Sequence, residues 1–140
     1  MKKIVIIVLI VLIPVIAYAV SITVGSGLTV VNVTMKQTDN GNFALAVSNQ
    51  SFKTRLVDIT IHIDDKLALQ GIFDVANQHN FQQFQFSLPN GTHKINVESI
   101  IGGAKLEKEF EITSKQYVGI FCCDDSTFGF SIYNKRIGFQ

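Results

Sequence analysis

The chain of 140 residues contains no tryptophan, only two prolines and only two cysteines. Without tryptophan, its eleven phenylalanines must supply the large aromatic part of any core. The cysteines are adjacent, Cys122 and Cys123, so the C-x-x-C spacing of thioredoxin-like redox sites is absent. Neighbouring residues of a strand point to opposite faces, which excludes an ordinary cross-strand disulfide between these two.

The sequence also lacks an excess of charge of either sign. Twelve lysines and arginines face eleven aspartates and glutamates, which gives a formal net charge of +1. Binding of nucleic acid depends on clustered basic side chains that neutralise phosphates. The balance therefore predicts no nucleic-acid partner.

Catalytic signatures are missing as well. There is no G-x-S-x-G, no H-E-x-x-H and no glycine-rich loop of the kind that cradles phosphate. We predict that the protein is not an enzyme and that it needs no cofactor and no metal.

The N-terminus has the layout of a secretory leader. Lys2 and Lys3 precede an uninterrupted aliphatic run, Ile4 to Ile13, and small residues stand at Ala17 and Ala19. This order is typical of a signal peptide cleaved after Ala19. No cysteine directly follows the apolar run, which argues against attachment of a lipid there.

An uncleaved anchor is the alternative, because the apolar stretch over residues 4–20 is close to the roughly 17 residues that a membrane-spanning helix needs. Both interpretations place the rest of the chain outside the cytoplasm, secreted or anchored to the cytoplasmic membrane. We predict a leader or anchor helix over 1–19, a short linker over 20–27 and one domain over 28–140.

The remaining chain alternates apolar and polar residues with a period of two, in short segments bounded by glycine, asparagine, aspartate and proline. Residues 56–64 alternate most regularly. No segment after Ser21 has the pattern of a long helix. About eight or nine short strands at regular spacing predict an all-β, antiparallel β-sandwich.

Turn residues predict which of these strands form hairpins. The segment 38–42 separates the strand 28–35 from the strand 43–47, and residues 124–126 separate 117–123 from 128–133. We predict a hairpin at each place, the second one at a sheet edge open to strand addition by a partner.

Two stretches carry a resemblance to a known kind of module: Val57-Asp58-Ile59-Thr60-Ile61-His62-Ile63-Asp64-Asp65, and Phe84 to Val97 with its Leu88-Pro89-Asn90-Gly91-Thr92-His93 turn. They resemble immunoglobulin-like and PEGA-type modules of exported bacterial envelope proteins. The resemblance covers about the middle third of the domain. It implies an immunoglobulin-like sandwich at the cell envelope and implies no particular activity.

Cys122 and Cys123, with Asp124 and Asp125 directly after them, are the first candidate site. Three interpretations stand open for the cysteines: a buried apolar residue beside a more exposed thiol, a strained vicinal disulfide, or a link to another chain or to copper or zinc. Carboxylate and imidazole donors for a metal occur elsewhere, but without paired-ligand spacing. His93 shares a face with Ile95 and Val97, as a histidine of the core or its rim does.

A second candidate site lies on one predicted strand, where Phe81, Gln83 and Gln85 share a face. Aromatic rings flanked by amides are typical of surfaces that bind carbohydrate. The sequence as a whole favours a non-enzymatic binding or structural module that contacts a protein partner. A carbohydrate-binding module, and a small thiol- or metal-dependent protein using Cys122 and Cys123, are the alternatives.

Overall fold

The computed structural model describes residues 19–20, 29–75, 81–122 and 126–136. These residues form strands, turns and loops. No helix among them is long and apolar enough to cross a membrane. Residues 1–18 of the predicted leader (1–19) and residues 21–27 of the predicted linker (20–27) lie outside the described residues.

The described residues form ten strands in two sheets. The strands are β1 (Ala19–Val20), β2 (Val30–Val33), β3 (Phe43–Asn49), β4 (Leu56–Ile63), β5 (Lys66–Asp74), β6 (Gln82–Phe86), β7 (Gly91–Ser99), β8 (Ala104–Ile112), β9 (Gln116–Cys122) and β10 (Phe128–Tyr133). One sheet has six strands in the order β1-β2-β5-β4-β7-β8, and the other has four in the order β10-β9-β3-β6. The prediction of an all-β, two-sheet architecture is confirmed.

The core lies between the two sheets and follows from the period-two alternation. On β4 every second side chain, from Val57 to Ile63, is buried. The opposing sheet contributes Phe43, Leu45 and Phe84, and the ring of Phe43 stacks on that of Phe110 with centroids 4.9 Å apart. Phenylalanine thus supplies the aromatic packing, as the absence of tryptophan predicts.

The predicted hairpin between the strands at 28–35 and 43–47 is wrong. β2 pairs with β5 in the six-stranded sheet, whereas β3 pairs with β6 and β9 in the four-stranded sheet. The connection over 34–42 crosses between sheets, held to β6 by the Thr38 amide, which donates to Gln85 O at 2.9 Å. Turn residues favour reversal of the chain but do not specify the partner strand.

The second predicted hairpin is confirmed, since β9 and β10 pair antiparallel from Cys122–Phe128 to Tyr117–Tyr133. The four-stranded sheet is nevertheless mixed, because β9 pairs parallel with β3. Both strands enter from the same end of the sandwich, where the Gln116 amide donates to Asn42 O at 2.8 Å. A pairing between strands so far apart in sequence leaves no local signal.

The two ends of the sandwich differ. At one end, which we call the Phe52 end, the β3–β4 loop (residues 50–55) lies near the β7–β8 turn (residues 100–103), because the start of β4 lies beside the end of β7. At the other end, the His93 end, the β4–β5 turn at Asp64 meets the start of β7.

Candidate functional site

A trough with a volume of about 500 Å³ lies on the outer face of the four-stranded sheet. Its floor is on β3, where Phe43, Leu45 and Val47 point into the core and the residues between them point outward. The outward residues Ala44 and Ala46 are small, so the centre of the face is low. The trough therefore results from the alternation of β3 combined with the small size of alanine.

Polar and aromatic side chains form the walls of the trough. Gln83 and Gln85 rise from β6, Tyr117 rises from β9, and Arg136 follows β10. The Arg136 guanidinium Nε donates to Gln83 Oε1 at 3.0 Å, so the chain after β10 is tied to the opposite edge of the sheet. Lys115 lies with its Nζ 5.7 Å from the centroid of the Tyr117 ring.

A pair of aromatic rings lies at the Phe52 end of the same face. Phe81 and Phe121 meet edge to face with centroids 5.2 Å apart. Phe121 leans over Gly119 and Gly129, where an added Cβ would lie only 2.6 Å and 2.9 Å from its ring atoms. Ser48, the register partner of Phe121, is buried, and its Oγ has no hydrogen-bond partner within the described residues.

The edge strand of this sheet, β10, forms a second candidate surface. β10 pairs with β9 on one side, and no strand of the described part of the chain pairs with its other side. Its six residues, Phe-Gly-Phe-Ser-Ile-Tyr, include no charge and no proline, and Ile132 is 51% exposed. Such an edge is a template for pairing with another strand.

β8, an edge strand of the other sheet, differs from β10 in its charge. β8 carries five charged residues over nine positions: Lys105, Glu107, Lys108, Glu109 and Glu111. Charged side chains are a common way in which edge strands are protected against unwanted pairing. β6, at the far edge of the four-stranded sheet, is partly covered by the bridge from Gln37 to Phe86.

Of the candidate thiol site, only Cys122 falls within the described residues. Its side chain is 1% exposed and packs in the core beside Ile120 and Phe128. Cys123, Asp124 and Asp125 lie outside the described residues. Whether Cys122 and Cys123 are free thiols, form a vicinal disulfide or bind another chain or a metal therefore stays a prediction.

His93 is a buried histidine whose two ring nitrogens both have partners. Nδ1 lies 2.6 Å from Asp64 Oδ2, and Nε2 lies 2.8 Å from Pro89 O. A carbonyl oxygen and a carboxylate only accept hydrogen bonds, so both contacts are hydrogen bonds at the same time only when the ring is protonated and donates from both nitrogens. In that state neither nitrogen is left to bind a metal or to act as a base.

The charges of His93 and Asp64 stabilise each other. Burial opposes protonation of His93, but the hydrogen bonds to Asp64 and Pro89 outweigh it and raise the pKa of His93. Burial likewise opposes ionisation of Asp64, and hydrogen bonds from the Lys94 amide and His93 outweigh it and lower the pKa of Asp64. The pair links the β4–β5 turn to β7, which is a structural role.

Among the described residues, the other potential metal donors do not converge. No group of three or more histidine, cysteine, aspartate or glutamate side chains that could hold a metal occurs in the described ranges. Asp64 and Asp65 have φ angles of 49° and 61°, so both occupy left-handed positions of a tight turn. Aspartate suits such positions because its side chain can bond the nearby backbone.

The structure places Gln83 and Gln85 on the outer face of the sheet and brings them together with residues that the sequence did not single out. Tyr117, Lys115 and Arg136 reach the trough only because β9 lies beside β3. The alternation of apolar and polar residues in β9 indicates that Tyr117 points outward. The position of β9 beside β3 in the sheet could not be predicted from that alternation.

Comparison with known proteins adds no assignment: no family model, no curated protein and no solved structure matches the chain.

Proposed function

We propose that this protein is an exported, non-enzymatic binding module of the bacterial cell envelope that holds a protein partner by strand addition at β10. The observation that carries the proposal is the difference between two edge strands of one molecule. β8 is protected by charge, whereas β10 presents six uncharged residues and the half-exposed Ile132. Backbone hydrogen bonds to an added strand would give affinity there, and pockets for alternate side chains would give specificity.

We further propose that the sandwich is immunoglobulin-like. The pairing of β4 with β7 in one sheet and of β3 with β6 in the other matches the relation of strands C and F to strands B and E in that fold. The hairpins β4–β5 and β7–β8 lie on either side of the β4–β7 pair. The strands β9 and β10 add to this plan, and they supply the proposed binding edge.

Partner binding is tested by placing a charge on the β10 edge. The substitution Ile132→Lys should reduce recovery of the partner from the envelope fraction at least tenfold, because a desolvated lysine opposes strand pairing. The matched control, Glu109→Lys on β8, should leave recovery unchanged. Equal recovery with both variants, or loss with the control alone, would contradict the assignment to β10.

Export is tested by the intact mass of the protein recovered from its own cells. A mass that begins at Val20 in the medium or periplasm supports a cleaved leader, and a full-length mass recovered from the membrane with detergent supports an anchor. Full-length protein in the soluble cytoplasm would contradict export. The same spectrum reports a two-hydrogen deficit if Cys122 and Cys123 are joined.

Carbohydrate binding in the trough is the second candidate function, supported by Tyr117 beside the amides of Gln83 and Gln85. A sugar ring stacks on an aromatic side chain while amides exchange hydrogen bonds with its hydroxyls. Binding of envelope glycans, measured by calorimetry, should be lost in Tyr117→Ala and kept in Gln70→Ala, an exposed position on the other sheet. Binding that survives Tyr117→Ala would exclude the trough.

A further inference from the structure

The charges that line the trough come from the connections between strands. The strands of its sheet, β3, β6, β9 and β10, contain no charged residue. Lys115 directly precedes β9, Arg136 follows β10, and Asp39 lies in the 34–42 connection. Two cations and one carboxylate therefore surround an uncharged floor.

No carboxylate of the described residues forms an ion pair with Lys115 or Arg136. The ion pairs in those ranges lie elsewhere and join Arg55 to Asp74, His93 to Asp64, Lys94 to Glu107 and Lys105 to Glu98. Asp124 and Asp125 follow β9, whereas Lys115 precedes it, so the seven residues of the strand separate them. Both positive charges of the trough can therefore act on a ligand.

The Arg136 side chain is held across the trough. Its Nε donates to Gln83 Oε1 at 3.0 Å, which links the chain after β10 to β6 at the opposite edge of the sheet. Among the described residues this is the one hydrogen bond of Arg136, so the N–H groups of Nη1 and Nη2 can donate to a ligand. A guanidinium that is already oriented loses little freedom on binding, and its fork matches a carboxylate or a phosphate.

The second cation lies beside the aromatic wall. Tyr117 is half-buried, and the Lys115 Nζ lies 5.7 Å from the centroid of its ring. A sugar ring that stacks on Tyr117 would therefore have an ammonium group near its substituents.

Asp39 lies on the other side of the trough. It follows Thr38, whose amide donates to Gln85 O on β6. A carboxylate accepts hydrogen bonds from hydroxyl groups, as the amides of Gln83 and Gln85 also do through their oxygens. The trough thus offers acceptors for hydroxyls on the β6 side and a cation on the β9 side, and this combination suits a sugar that carries a negative group.

We propose that the trough binds an acidic glycan, whose ring stacks on Tyr117 while Arg136 and Lys115 bind a carboxylate or phosphate group of the sugar. This selectivity rests on the carbohydrate binding proposed above for the trough and adds the class of glycan. It does not involve the free edge of β10.

Calorimetry with envelope polysaccharide from the cells that make the protein tests this selectivity, because the acidic groups can be removed chemically. Carbodiimide activation followed by borohydride reduction converts carboxylates to alcohols, and hydrofluoric acid removes phosphate esters. The untreated polysaccharide should bind about tenfold more tightly than the product of one of these treatments. The treatment that weakens binding distinguishes a carboxylate from a phosphate.

Variants of the two cations assign the effect to the trough. Arg136→Gln and Lys115→Gln should each weaken binding of the untreated polysaccharide about tenfold and leave binding of the treated product unchanged. Arg136→Lys should restore part of the affinity, because an ammonium keeps the charge but not the fork. The matched control, Lys108→Gln on β8, should change neither affinity. All three positions are exposed, so the substitutions leave the core intact.

Three results would overturn the proposal, and they differ in what else they contradict. Equal binding of untreated and treated polysaccharide, lost in Tyr117→Ala, would contradict the acidic selectivity and keep a trough for neutral sugars. Absence of binding in every form would contradict carbohydrate binding as well. Binding of polyglutamate that Arg136→Gln abolishes, without binding of polysaccharide, would assign the trough to an acidic peptide. None of these results would change the expected behaviour of Ile132→Lys.

Discussion

His93 and Asp64 illustrate at the scale of single residues how a polar pair fixes the geometry of a turn. The histidine is 7% exposed and the Asp64 side chain is 45% exposed, so the pair lies at the rim of the core. Asp64 also accepts the amide of Lys94 at 3.0 Å. One carboxylate therefore positions both the ring and the backbone of β7.

This pair predicts a stability maximum at mildly acidic pH. The pKa of His93 is raised in the folded chain, so its stabilisation is complete below the ordinary value of 6.5 and is lost as pH rises through the folded value. The pKa of Asp64 is lowered, so its stabilisation is complete above 3.8 and is lost as pH falls through the folded value. The melting temperature should peak between these limits and fall towards pH 8.

The variant Asp64→Asn removes the charge and keeps a residue type that tolerates the φ angle of 49° at this position. Its melting temperature should be nearly flat between pH 5 and 8, whereas the control His62→Gln should keep the wild-type dependence. Partial exposure of Asp64 screens the pair, so a moderate effect is expected. A wild-type curve without a fall towards pH 8 would contradict the assignment of a protonated His93.

Asn49 is a buried residue that the sequence did not mark. It is 2% exposed, and its amide joins the β3–β4 loop to β5 through the carbonyl of Phe73. Asn49→Asp keeps the acceptor for Ser51 but removes the donors and buries a charge. We expect a loss of about 3 kcal/mol in the free energy of unfolding.

Urea denaturation measures that loss. The control Asn96→Asp, at a half-buried position of β7, should lose less than about 1 kcal/mol. If the Asn49→Asp variant proved as stable as the control, the stabilising role assigned to the hydrogen bonds of the Asn49 side chain would be wrong.

At the scale of elements, the close approach of the 34–42 connection to β6 depends on one glycine. A Cβ at Gly41 would lie 2.1 Å from Phe86 O and 2.5 Å from Phe86 C, and neither backbone atom can move away without disturbing β6. The connection carries one side of the trough, so this contact links the crossover to the candidate site.

Gly41→Ala should therefore destabilise the protein by about 2–3 kcal/mol. The control is Gly103→Asn, because the φ of 60° at Gly103 suits asparagine and the nearest atom to an added Cβ lies 3.7 Å away. Thermal unfolding of the two variants side by side distinguishes them. Similar melting temperatures would show that the 34–42 connection can move away from β6 without loss of stability, which would contradict this prediction.

The local alternation of apolar and polar residues predicts the strands far better than it predicts which strands pair with each other. The burial of Val57 to Ile63 and the outward side of Gln83 and Gln85 both follow from alternation, which each strand expresses by itself. The parallel pairing of β3 with β9 does not, since it joins residues about seventy positions apart. The trough consequently could be predicted only on the side that β6 supplies.

At the scale of the whole molecule, three different surfaces occupy three different places. The trough lies on the outer face of the four-stranded sheet, the uncharged β10 strand lies at its edge, and the exposed apolar loops lie at the Phe52 end. The charged strand β8 protects an edge of the six-stranded sheet.

Site-specific photocrosslinking in the cells that make the protein tests the proposed partner contact most directly. A photoreactive phenylalanine analogue is placed at position 131 on β10 and, as the control, at position 107 on β8. The account predicts one adduct of discrete mass from position 131 in the envelope fraction and none from position 107. No adduct from position 131, or the same adducts from both positions, would contradict the proposal that β10 receives a partner strand.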